Sequence, residues 1–91
     1  MVSRDVQVNT IAKSGGRIGA WIVQLASQFD SDISIEIDSH KVNAKSLLST
    51  MYLMEHIGET GESQVTISAR GDDEEEAVRR LEAYFDGTQK A

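Results

Sequence analysis

No cysteine and no proline occur among the 91 residues. The missing cysteine excludes disulfides, thiolate nucleophiles and cysteine-based zinc sites. It also leans toward a cytoplasmic setting, since small secreted domains are commonly disulfide-stapled. The missing proline argues against a proline-rich linker or a polyproline recognition segment. Basic residues are the scarcer charge: 9 Lys and Arg stand against 15 Asp and Glu, a net charge of −6. That balance argues against a general affinity for nucleic acid or anionic membranes, both of which select basic surfaces. No apolar run approaches the ~18 residues of a membrane span. The opening Met1-Val2-Ser3-Arg4-Asp5 does not read as a signal peptide, because it holds an acid and no apolar stretch. A chain this short makes one domain, residues 1–91, with a single two-layer core and no room for a large internal substrate cavity.

What is present is patterning. Val6-Gln7-Val8-Asn9-Thr10 alternates with the period of a half-buried strand, and Lys13-Ser14-Gly15-Gly16 reads as a flexible turn. From Arg17 the period changes: Ile18, Trp21, Ile22, Leu25, Ala26 and Phe29 form one helical stripe, with Trp21 in the core or at its rim. Ile33-Ser34-Ile35-Glu36-Ile37 alternates strictly, Asp38-Ser39-His40 turns, and Lys41-Val42-Asn43 returns as a short strand. Leu47, Leu48, Met51 and Met54 are spaced for one face of a second helix. Ser46 is its natural N-cap, through a hydroxyl that can accept from a first-turn amide. Thr50 falls on the exposed side of that helix, and Glu55 to Gln64 reads as a loop. Val65 to Ala69 is a fourth strand. Asp72 with Glu75, and Asp73 with Glu76, have capping-box spacing. Ala77, Val78, Leu81, Tyr84 and Phe85 make a third helical stripe, which Gly87 is placed to end. The order βαββαβα predicts an α+β fold, with three helices on one face of a four-stranded antiparallel sheet and water on the other.

Several segments resemble HPr, the small phosphocarrier family of the bacterial sugar phosphotransferase system. They are Val23 to Phe29, Asp32 to Glu36, Lys41-Val42-Asn43-Ala44-Lys45-Ser46-Leu47-Leu48 with Met51, and Val65 to Ala77. The resemblance spans nearly the whole chain and implies an open-faced β-sandwich, in agreement with the order of elements. HPr proteins carry a histidine in a Gly-x-His-x-Arg-Pro pattern just before the first helix. Its imidazole accepts and passes on phosphate beside free helix amides and an arginine. Alignment on Val23-Gln24 without a gap puts Gly15 at the histidine position, Arg17 at the arginine and Ile18 at the proline. No histidine lies between Met1 and Ser39, so no shift of alignment restores one. The resemblance therefore implies a chain without the carrier reaction. It also implies regulation, because Ser46 stands in the context of a serine that a dedicated kinase/phosphorylase modifies in some HPr proteins. The phosphoserine form binds a catabolite control repressor of the LacI type. A branch of the family in bacilli keeps that serine and lacks the histidine.

The expected function is thus a non-enzymatic regulatory module, phosphorylated at Ser46 and meeting its partner through Arg17, Leu47, Leu48 and Met51. Two alternatives stand beside it: a carrier that uses His40 or His56, and a binding domain in which Ser46 is only a helix cap. Both histidines read as surface residues with no spacing for a shared metal site. The acid run Asp72 to Glu76 reads as caps and a solvated helix start, without the glycine and spacing of a calcium loop. Ser14 has no neighbouring base to activate it. No cofactor and no metal are expected.

Overall fold

The computed structural model describes residues 1–7, 16–37, 40–60 and 64–86. The elements are β1 (Val2–Gln7), α1 (Gly16–Ala26), β2 (Asp32–Ile37), β3 (His40–Asn43), α2 (Leu47–Thr60), β4 (Gln64–Arg70) and α3 (Glu74–Asp86). The order is the βαββαβα expected from the patterning. All strand pairs are antiparallel, in the spatial order β1-β4-β2-β3.

Alternation decides the two sheet faces. Val6, Val65, Ile67, Ala69, Ile33, Ile35 and Ile37 are buried beneath the helices. The opposite face carries polar rows that run straight across the register. Ser3, Ser68, Ser34 and Asn43 make one row, and Asp5, Thr66, Glu36 and Lys41 the next. The Ser3 and Ser68 hydroxyls are 2.8 Å apart, and Thr66 Oγ1 donates to Asp5 Oδ1 at 2.7 Å, so the rows satisfy part of their own polarity.

Several boundaries differ from the sequence reading. β1 begins at Val2, not Val6. Its Arg4 pairs in register with Ile67 on the helix side, where an apolar residue would complete the alternation, and reaches Glu82 of α3 at 2.7 Å instead. Residues 8–15, and with them Gly15, lie outside the described residues. The helix α2 runs to Thr60, so the first half of the segment read as a loop is helical. Its buried face is Thr50, Leu53 and Met54, while Leu47 and Leu48 are exposed and Met51 is half-buried. Thr50, expected on the exposed side, is fully buried. Its Oγ1 donates to the Asn43 carbonyl at 3.2 Å, which removes the cost of burying a hydroxyl.

The helix α1 ends at Ala26, and Phe29 is buried just beyond it. It packs on α2 at Gly19, where a Cβ would lie 2.9 Å from Met51 Cα, so only glycine allows the approach. The stripe of α3 is buried as expected, from Ala77 to Phe85. Its start is built differently from a capping box. Asp73 is the N-cap through its carbonyl, which accepts from Ala77 N at 2.9 Å. Its carboxylate crosses to the segment after α1, accepting from Asp30 N at 2.8 Å, Ser31 N at 2.9 Å and the Ser31 hydroxyl. Glu74 accepts from Gly71 N at 3.0 Å, and Glu76 pairs with Arg79. Gly71 has φ +154°, and a Cβ there would lie 2.6 Å from Ser31 Oγ. Asp73, Ser31 and Gly71 thus form one close-packed clasp between α3 and the end of α1.

Candidate functional site

Ser46 lies in the tight corner between β3 and α2. The chain leaves the sheet at Asn43, whose side-chain oxygen accepts from Lys45 N at 2.9 Å in an Asx turn. Ala44 is buried, and its amide donates to Ile33 O at 2.9 Å. Lys45 Nζ donates to Phe29 O at 2.7 Å, tying the corner to the chain just past α1. The Asn43 carbonyl then accepts twice, from Ser46 N at 3.0 Å and from Thr50 Oγ1 at 3.2 Å. Thr50 N returns a bond to Ser46 O at 3.0 Å. Ser46 is therefore the N-cap of α2 by position. Its backbone is fixed on both sides, and its half-buried side chain stands at the first turn. The hydroxyl itself makes none of these bonds, contrary to the cap bond expected of it.

This geometry suits an anion. The first amides of a helix have no partner within the helix, and the helix dipole favours negative charge there. A phosphoryl group on Ser46 Oγ would stand within the reach of that first turn. The α2 residues next to it expose apolar surface: Leu47 at 47%, Leu48 at 82% and, one turn beyond Leu48, Tyr52 at 61%, so these are available to a partner and not to the core. Tyr52 falls outside the stripe read as Leu47, Leu48, Met51 and Met54, so the sequence pattern did not single it out. Met51 is half-buried against α1. Arg17 falls in the first turn of α1, two residues before the Gly19–Met51 approach; its side chain lies outside what the structure describes. Trp21 is 41% exposed, at the rim and not in the core. Two residues of helix turn it well away from Gly19, so it lies on the side of α1 remote from α2.

The two histidines are brought together. The His40 and His56 rings have centroids 5.1 Å apart and are tilted by 58°. Their separation of 16 positions, one on a strand and one on a helix, hides this in the sequence. Among the described residues no group of three or more His, Asp or Glu side chains converges as a metal site. No described helix is long and apolar enough to cross a membrane.

Comparison with known proteins bears on this site. The family described as the PTS HPr component phosphorylation site matches residues 2–86. The HPr-like protein Crh of Bacillus subtilis strain 168 is 40% identical over 84 residues, covering 92% of this chain and 94% of its own. Among solved structures, a phosphocarrier protein HPr from Bacillus anthracis strain Ames superposes with a TM-score of 0.80 at 42% identity, over 92% and 95% of the two chains. A crystal structure of Bacillus subtilis Crh, described as an intertwined swapped dimer, gives a TM-score of 0.70 at 38% identity with both chains fully covered.

Proposed function

The chain belongs to the HPr family, and from that premise we propose that it is a regulatory member, acting through a phosphoserine at Ser46 and not as a phosphoryl carrier. Carrier chemistry in this family needs an imidazole at the start of the first helix. No histidine precedes His40, and Gly15, which the alignment sets at that position, offers no atom to phosphorylate. The relative from Bacillus subtilis is named an HPr-like protein, and its crystal structure is described as that of a catabolite repression protein.

The observation that carries the reading is the corner holding Ser46. Asn43 and Thr50 fix its backbone at the N-terminus of α2, and Leu47 and Leu48 are exposed directly beside it. Phosphorylation adds roughly −1.5 to −2 charge at neutral pH. At a helix N-terminus that charge is tolerated, so its effect is a new surface for a partner and not a change of fold. The domain is then a substrate of an HPr-type serine kinase/phosphorylase and has no enzymatic activity of its own. Its partner is a LacI-type catabolite control repressor in the cytoplasm, which reads the phosphate together with Arg17, Leu47, Leu48 and Met51.

The test is incubation with an HPr-type serine kinase and ATP, followed by intact-mass measurement. One phosphoryl group is expected on the wild type and none on Ser46→Ala. Calorimetric titration of both forms against the repressor follows. Equal affinity for the phosphorylated and unphosphorylated chain, or acid-labile phosphate gained from the phosphotransferase enzyme and phosphoenolpyruvate, would overturn the reading.

A further inference from the structure

His40 opens β3, an edge strand, and His56 lies in the third turn of α2. His40 is exposed and His56 half-buried, so an ion in solution has access to the pair. Imidazoles gather without a covalent link by ring packing, by hydrogen bonding or by shared ligation of a metal, and each sets a spacing. Zinc–nitrogen bonds of about 2 Å and a tetrahedral angle put the centroids of two ligated imidazoles about 5 Å apart. A right-angled pair on an octahedral ion would be closer, at about 4.5 Å. The observed separation is 5.1 Å with a tilt of 58°; this matches the chelate spacing and also falls within the range of tilted ring packing, and metal titration separates the two. Each ring has two nitrogens, so one can ligate while the other keeps a hydrogen bond.

We propose that His40 and His56 form a two-imidazole chelate for a late first-row divalent ion, zinc above all, with solvent completing its coordination. Neutral imidazole suits zinc, nickel and copper, whereas calcium and magnesium require oxygen ligands that this pair does not offer. Two protein ligands make a modest site, in the micromolar range, and an exchangeable one. Its consequence is mechanical. Because one ligand is on the sheet edge and the other on α2, the ion would pin that helix to the β2–β3 hairpin in the folded chain only, and would raise the thermal midpoint as its concentration rises. The inference does not rest on Ser46.

The experiment uses the untagged chain and zinc chloride alone, read by calorimetric titration and by thermal melts over a metal series. One saturable ion per chain is expected, with a midpoint that climbs with zinc and does not move with magnesium. His40→Gln and His56→Gln should each weaken binding at least tenfold and abolish the zinc-dependent shift, while melting like the wild type without metal. Should either variant misfold, perturbation of the His40 and His56 ring resonances by zinc in the wild type decides the case. No saturable binding, unchanged affinity in either folded variant, ring resonances indifferent to zinc, or one ion shared by two chains would overturn the proposal.

Discussion

Gly19 and Asp73 govern the two tightest contacts described above. At Gly19 two effects oppose each other when a methyl group is added. Alanine gains about 1 kcal/mol of helix propensity over glycine, but its Cβ would stand 2.9 Å from Met51 Cα, a backbone atom that cannot swing aside. Overpacking costs about 1–3 kcal/mol and wins. Net of the propensity gained, Gly19→Ala should lower stability by about 1 kcal/mol in urea denaturation. Asp73 gives a different signature. The Ser31 hydroxyl, with the Asp30 and Ser31 amides, holds its carboxyl below the ordinary carboxylate range. A group whose folded pKa is lowered stabilises the fold above its unfolded pKa and loses that contribution as pH falls through the folded one. Asp73→Asn should therefore melt below the wild type at pH 7. The gap should narrow once the pH drops below about 4, in calorimetric scans at both pH values.

On α2 the buried and exposed faces separate what folds the chain from what meets a partner. Thr50, Leu53 and Met54 are buried, whereas Leu48 is 82% exposed. Leu48→Ser should leave stability within about 0.5 kcal/mol of the wild type. If Ser46 regulation holds, the same variant should weaken repressor binding by the phosphorylated chain in the same calorimetric assay. Phosphorylation of Ser46 should itself change stability by less than about 1 kcal/mol, since the helix dipole favours the charge; thermal melts of the two forms check this. The sequence spoke unevenly about this element. Its start was legible from Ser46 and the leucines. The inward turn of Thr50 was not, because polarity signals exposure and the compensating bond is to Asn43, seven positions away. Its length was also missed, because Gly58 reads as a breaker while the helix continues to Thr60.

For the molecule as a whole, the strict alternation of Ile33 to Ile37 and Val65 to Ala69, and the helical stripes of α1 and α3, made the α+β architecture readable from the chain, whereas the stripe read on α2 put Leu47 and Leu48 on the wrong face. β1 was harder. Its inward residues are Val2, Arg4 and Val6, and the arginine breaks the apolar period that would have marked the strand; only its reach to Glu82 explains the position. Long-range placement was not readable at all, whether of the histidine pair or of the clasp at Asp73. The strand order carries a further consequence, one of timing. β1 is at the sheet edge and pairs with β4 alone, whose first residue comes 57 positions after β1 ends. At about 5–20 residues per second of synthesis, Val2–Gln7 waits for several seconds before its neighbour exists. During translation this segment is therefore an unpaired strand, and its seam with β4 joins one of the earliest pieces of the chain to be made to the last strand of the sheet.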